Sequence, residues 1–192
     1  MTPKEKLQTL AENLNVSELS NNVLLDKRFI FCSGSSKEGY HHYGDGQLCQ
    51  HVLEVVEILL LNNEYFSNPI DKKEVYLSAL FHDYGKLWDY EKVGTKWEST
   101  EHKYNIHHIS RSAIEWSRIA QEVTDKYPEK YSWLTEEVKN NILHAILSHH
   151  QLRQWGSPVS PNTQLAWLIH LADSISARMS DGEGFTQRLY KR

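Results

Sequence analysis

Ala79-Leu80-Phe81-His82-Asp83-Tyr84-Gly85-Lys86 is the stretch on which the reading of this chain turns. An apolar run delivers an imidazole and a carboxylate side by side, then a glycine, then a lysine. Helical spacing puts Val75, Ala79 and His82 on one face, so His82 arrives among apolar groups. Three further pieces fit around the pair: His51 upstream, His149-His150 downstream, and Asp173 within Leu168-Ile169-His170-Leu171-Ala172-Asp173. That order reads as a divalent-metal site gathered from several helices. Imidazole nitrogens and carboxylate oxygens suit first-row transition ions.

Composition bounds what such a site can belong to. The chain has 192 residues, of which 40% are apolar and 24% charged. This is the profile of a globular protein, long enough for one domain with its own core. No apolar run approaches the length that spans a bilayer, so no membrane partner is expected. Met1-Thr2-Pro3-Lys4-Glu5-Lys6 leads into a polar amphipathic stretch without a signal peptide's apolar region. Cys32 and Cys49 are isolated and form no CxxC pair. A reducing, cytoplasmic setting is therefore expected, and thiolate-bound zinc is not. The formal net charge of −4 argues against a broad basic face for long nucleic acid, while leaving room for a local basic funnel. A homo-oligomer is as compatible with these numbers as a monomer.

Periodicity predicts an all-α chain. Residues 4–14 carry Leu7, Leu10 and Leu14 on one side. Residues 15–46 read as irregular, with turn chemistry at Ser33-Gly34-Ser35-Ser36 and Gly44-Asp45-Gly46. A helix over 47–62 buries Leu48, Val52, Val55, Val56, Leu59 and Leu60, and His51 shares their face. Asp71 with Glu74 resembles a capping box that opens the helix bearing His82, and Gly85 is expected to end that helix. Residues 88–104 read as a loop or a short ribbon. The helix over 106–127 buries Ile109, Ala113, Trp116, Ala120, Val123 and Tyr127, with His108 at its edge and Pro128 as its stop. Thr135 caps a helix that aligns Val138, Ile142, Ala145 and His149. Gly156-Ser157-Pro158-Val159-Ser160-Pro161 forms a rigid turn. A last helix from about 162 spaces Leu165, Ile169 and Asp173 at i, i+4 and i+8. The tail after Gly182 reads as loose until Leu189-Tyr190.

Each candidate ligand thus lands on the apolar side of its helix, where a charge is costly unless paired or metal-bound. Asp173 alone reads equally well as half of a buried salt bridge, to Arg178 or Lys86. His41, His42, His102 and His170 read equally well as ordinary surface or core histidines. The pairs His82-Asp83 and His149-His150, taken with His51 and Asp173, are harder to attribute to packing. Phosphate esters and anhydrides resist attack because their negative charge repels nucleophiles. Two nearby metal ions bind the phosphoryl oxygens and lower the pKa of a water between them. Asp83 can bridge two such ions. Lys86, one turn on, is placed either to pair with a substrate phosphate or to complement a helix end. Trp88, Tyr90, Trp97, Tyr104 and Trp155 flank the motif segments as core, as rim or as stacking platforms for a base. His41-His42-Tyr43 can enter the site from the loop before Gly44.

These residues resemble the HD-domain metal-dependent phosphohydrolase superfamily, and within it the HD domain of YhaM-type 3′–5′ exoribonucleases. The resemblance rests on His41-His42-Tyr43 with Leu48-Cys49-Gln50-His51, on Leu80 to Lys86, on His107-His108-Ile109, on Ile146-Leu147-Ser148-His149-His150, on Trp155 to Thr163, and on His170 to Met179. It implies an HD-domain helical bundle, a single domain over 1–192 with its motif core over about 41–179 and residues 1–40 as an N-terminal extension. It implies metal ligation by His51, His82, Asp83 and Asp173, and by His108, His149 and His150 as in dinuclear members, with His107 as the rival of His108. Two divalent transition ions are expected, manganese, iron, cobalt or zinc, with magnesium admitted at one site. Asp83 and Lys86 are the expected catalytic residues. Lys86, His42, Trp155, Ser157 and Arg178 are the expected contacts to substrate. Gln47, Gln151 and Gln154 depart from the family's pattern at positions that shape the pocket.

The expected activity is hydrolysis of a nucleoside triphosphate or another small nucleotide by metal-activated water. Residues 1–40 are too few and too helical for the OB-fold that accompanies the exonucleases, which tilts the expectation toward a small nucleotide. A 3′–5′ exonuclease on short single-stranded RNA or DNA is the alternative. A di-iron oxygenase with the same ligand order is a third reading, marked by oxygen consumption and an iron-only requirement. A metal-stabilised interaction module without activity is a fourth, which the retained Lys86 disfavours. Competition between mixed nucleoside triphosphates and a 20-nucleotide single strand separates the first two. The triphosphates should be consumed faster at both low and high salt, because binding of a long strand depends on many phosphate contacts and falls steeply with salt. A 20-mer that wins at both salts reverses the order.

Overall fold

The computed structural model describes residues 1–179; the expectation for the tail after Gly182 falls outside them. Its helices are α1 (Pro3–Asn13), α2 (Ser17–Leu24), α3 (Gln47–Asn63), α4 (Lys72–His82), α5 (Lys86–Asp89), α6 (Glu101–Asn105), α7 (His108–Lys126), α8 (Glu136–Ser148) and α9 (Gln164–Met179). Between α5 and α6 lies an antiparallel ribbon of β1 (Tyr90–Val93) and β2 (Lys96–Ser99), turned at Gly94. The class is all-α, as the periodicity predicts.

The structure differs from the sequence reading at residues 15–46 and adds to it around residues 88–104. Residues 15–46 contain α2, which buries Leu19, Val23 and Leu24 against α1, α4 and α7. It is only 8 residues long, too short for a helical period to stand out in a window of useful length. Residues 88–104 form the short ribbon that the reading allowed, flanked by α5 and α6, helices of a single turn each that depend on tertiary contacts more than on local pattern.

The bundle has α3, α4, α8 and α9 packed on one another, with α7 laid against α4 and α8. Apolar stripes explain this packing. Leu48, Val52, Val55, Val56 and Leu59 of α3 are fully or almost fully buried, as are Ile109, Trp116, Ile119 and Ala120 of α7. Trp116 sets its ring 5.2 Å from that of Phe81 and donates its indole N–H to the Lys139 carbonyl. Side chains cap α1, α4 and α8, though at α4 Asp71 acts alone and not in the expected box with Glu74. Thr2 and Glu5 form a reciprocal capping box on α1, Asp71 accepts from the Lys73 amide, and Thr135 accepts from the Val138 amide. No helix among the described residues is long and apolar enough to cross a membrane.

Gly85 has a different role from the helix stop expected of it. Helix α4 already ends at His82, with Asp83 as its C-cap, and Gly85 has φ −62°, an ordinary right-handed value. What it provides is close approach: a Cβ there would stand 2.1 Å from the His108 carbonyl oxygen. Its amide donates to the Ser112 hydroxyl at 2.8 Å, so the 83–86 turn is clamped onto the first turns of α7. Gly85→Ala should therefore cost about 1–3 kcal/mol by overpacking and displace the start of α7. Urea unfolding measures the first effect. A loss below about 0.5 kcal/mol, the range of neutral surface changes, contradicts the clamp.

Candidate metal centre

The bundle brings the sequence-predicted ligands to one place. His51 comes from the second turn of α3, His82 and Asp83 from the end of α4, His108 from the first residue of α7, His149 and His150 from the end of α8, and Asp173 from α9. His51, His82, Asp83, His108 and His149 are at most 3% exposed.

The two oxygens of Asp83 face different partners. Oδ2 lies 3.2 Å from His51 Nε2 and 3.4 Å from His82 Nε2. His51 Nε2 is also 3.2 Å from Asp173 Oδ1 and 3.3 Å from His82 Nε2. Oδ1 lies 3.4 Å from His108 Nε2 and 3.6 Å from His149 Nε2. The donor atoms of His51, His82, Asp83 and Asp173 fall within 4.8 Å of one another, as do those of His108, His149 and His150. Ligands about 2.0–2.1 Å from one ion stand about 3.0–3.4 Å from each other, close to the separations seen.

The far side of each ring fixes its tautomer. His82 Nδ1 donates to the Ala79 carbonyl at 2.7 Å, His149 Nδ1 to Ile146 at 2.7 Å, and His150 Nδ1 to Trp155 at 2.6 Å. His108 Nδ1 donates to Asp89 Oδ2 at 3.2 Å. His51 Nδ1 donates to the Ser176 hydroxyl at 3.0 Å, which itself donates to Glu54 at 2.8 Å. Anchoring Nδ1 turns each Nε2 toward the centre, where an ion would take its lone pair in place of any proton. His108 Nε2, His149 Nε2 and Asp83 Oδ1 are buried there without a hydrogen bond. Acceptors facing one another in a dry pocket are tolerated only around a cation or a shared proton. The donor set therefore fits a divalent transition ion on each side of Asp83.

The electrostatics agree. Burial works against the charge of both carboxylates, but Lys86 and His82 hold Asp83 well below the usual carboxylate range, and His51 does the same for Asp173. Burial opposes protonation of His51, yet Asp173 and Asp83 together raise it to about 9. Burial lowers His108 well below its ordinary value and, with His149 nearby, takes His150 down to about 4. Lys86 Nζ stands 2.6 Å from Asp83 Oδ2, an ion pair at the edge of the centre.

The remaining expected residues spread around this centre. His108, not His107, faces Asp83; His107 instead groups with Asp89 and His108. Its φ is +70°, and its ring packs against Gly156, where a Cβ would come within 2.7 Å of it. His42 is buried behind His51, with ring centroids 4.8 Å apart, and pairs with Glu54 at 3.0 Å. Ser157 is buried and accepts from the His150 amide at 3.0 Å, fixing the turn after α8. Trp155 and Arg178 are exposed and line one pocket of about 400 Å³ with Gln151, His170, Ser174 and Ile175, just outside His150 and Asp173.

Asp89 is the site residue that sequence reasoning missed. It is fully buried and accepts both the backbone N–H of His108, at 2.9 Å, and that residue's ring N–H. Its other oxygen accepts from His102 Nδ1 at 2.7 Å, and Arg111 donates to the far nitrogen of that ring. No periodic signal marks Asp89. Glu54 and Ser176 were findable, since each lies three residues past a ligand on the same helix face.

With this geometry in place, the comparisons with known proteins are direct. The family model described as the HD domain matches residues 48–178, more than half of the chain. The chain belongs to the HD-domain family. A curated relative, the 3′–5′ exoribonuclease YhaM of Bacillus subtilis (strain 168), is 24% identical over 170 residues, covering 88% of this chain and 50% of that protein. The chain thus spans about half the length of the curated relative it matches. No solved structure matches it.

Asp89→Asn removes one acceptor oxygen and a charge, leaving His102 or His108 without its partner. Loss of such an outer carboxylate typically costs 10–100-fold in metal affinity, so about that weakening is expected for an ion held through His108. Metal titration followed by calorimetry measures it. An unchanged titration removes Asp89 from the site.

Proposed function

We propose that this chain is a metal-dependent phosphohydrolase acting on nucleotides, with residues 1–192 as one HD domain. The observation that carries the proposal is the division of Asp83, whose two buried oxygens face two separate groups of imidazole nitrogens. His51, His82, Asp83 and Asp173 would hold one ion, and Asp83, His108, His149 and His150 the other. When bound, such ions polarise phosphoryl oxygens and lower the pKa of water.

The chain's own residues have separable roles in this reading. Asp83 offers one oxygen to each half of the site. The anchored rings stay neutral ligands, so they do not cancel the positive charge that phosphate requires. Lys86 stands beside Asp83 Oδ2 and can swing its ammonium toward a phosphoryl oxygen. Ser157 holds His150 in place, and His42 with Glu54 backs His51. The pocket at Trp155 and Arg178 is where a nucleoside would rest, with the indole face available for stacking.

A 3′–5′ exonuclease acting on short single strands is a second reading, favoured by the name of the curated relative. It uses the same centre and differs in what lies beyond the reacting phosphate.

Purified protein assayed with manganese, iron, cobalt, zinc or magnesium against nucleotides and short oligonucleotides tests the class. Phosphate, pyrophosphate, tripolyphosphate or mononucleotide should be released, and chelation should stop the reaction. Asp83→Ala should abolish turnover while far-UV circular dichroism stays near wild type. Activity within about tenfold of wild type, about 1.4 kcal/mol of barrier, is too little for a bridging carboxylate and rules out that role.

A further inference from the structure

A second polar cluster lies beside Lys86 and belongs neither to the metal centre nor to the core. Lys103 of α6 points its ammonium at two hydroxyls, 3.1 Å from Ser99 Oγ and 3.4 Å from Ser36 Oγ. The two serines are themselves hydrogen-bonded at 2.9 Å. Lys103 Nζ also sits 4.8 Å above the ring of Tyr90. Lys37, next to Ser36, reaches over Tyr40. Among the described residues, no carboxylate stands within ion-pair distance of Lys37 or Lys103, although the other lysines of this ribbon, Lys92 and Lys96, pair with Asp45 and Glu38. Burial and the nearby charges of Lys86 and Lys37 outweigh Asp89 and lower the pKa of Lys103. Tyr90, under Lys103, is also near enough for Lys86 to act on its hydroxyl.

An otherwise acidic chain thus gathers two hydroxyls and two lysines without a carboxylate, Lys37 and Lys103, beside Lys86, which Asp83 already holds. Holding like charges together is unfavourable unless an anion joins them. Hydroxyl donors beside ammonium groups are the chemistry of a phosphate cradle. The nucleoside pocket at Trp155 lies on the α8–α9 side, built from other elements.

We propose that Lys103, Lys37, Ser36 and Ser99 bind a second phosphate of the substrate, the one beyond the phosphate held at the metal centre. The inference rests on the phosphohydrolase reading and deepens it: the substrate carries at least two phosphates. That chemistry is supplied either by a polyphosphate tail or by the next phosphodiester of a strand.

The test uses tripolyphosphate as a probe of binding and compares a nucleoside triphosphate, its monophosphate and a dinucleotide in turnover. Lys103→Gln should weaken tripolyphosphate binding by about tenfold, the scale of one charge-assisted contact. It should raise KM by a similar factor for substrates with a second phosphate, leave the monophosphate unaffected, and leave kcat and metal content unchanged. Lys103→Arg should restore most of the binding. A KM effect on the triphosphate alone assigns the subsite to a polyphosphate tail, and an effect on the dinucleotide alone assigns it to a strand. Equal binding of tripolyphosphate by wild type and Lys103→Gln, or none by either, overturns the proposal. Tripolyphosphate binding that depends on Lys103 in a protein that hydrolyses no nucleotide with any ion keeps the subsite and removes the hydrolase reading.

Discussion

Everything in this fold answers to one cost: a carboxylate, Asp83, kept ionised inside a helical bundle. Removing such a charge from water is unfavourable by several kcal/mol, and it is tolerated only if opposite charge and oriented dipoles converge on it. Helices α3, α4, α7, α8 and α9 each deliver one or more groups to this point. Those groups are themselves polar and buried, so each needs its own partner further out. The result is a layered arrangement in which Asp89, Ser176, Glu54 and several main-chain carbonyls orient the rings that surround the carboxylate. The apolar stripes of the helices set where they lie. The polar layers set how precisely their ends must meet.

The same requirement explains the placement of small residues. Gly85 lets the turn after Asp83 approach the first carbonyl of α7, which carries His108 in toward Oδ1. Gly156 leaves space for the His107 ring. Neither glycine serves a conventional turn or cap alone; Gly85 answers to how near one backbone segment must come to another, and Gly156 to how near a ring must come to the backbone.

What could be read from the sequence, and what could not, follows from the range of the interactions. Long helices announced themselves because burial repeats every three to four residues, and their ligand histidines stood on the buried stripe. His82-Asp83 and His149-His150 were legible as adjacent polar pairs inside apolar runs. Helix α2 and the single-turn helices were not, because they are shorter than the windows in which a period shows; the ribbon was legible only as one of two alternatives for 88–104. Asp89 escaped for a related reason: it lies at the end of a four-residue helix, and its importance comes from His102 and His108, 13 and 19 residues away. The turn glycine at 85 was recognised, but its purpose depends on a carbonyl in another helix. The lysine–serine cluster around Lys103 is assembled from a loop, a strand end and a short helix, so its parts share no linear pattern.

The separation of the ligands along the chain has a consequence for biosynthesis. His51 is fastened by Ser176, 125 positions later, and Asp173 lies on the last described helix. A ribosome releasing this polypeptide from its N-terminus exposes His51, His82 and Asp83 long before α9 exists to close around them. Until then His51, His82 and Asp83 would offer an ion at most an open, weak chelate. An ion held by these residues would reach full affinity only with the docking of α9, which would make metal capture and completion of the bundle one coupled event.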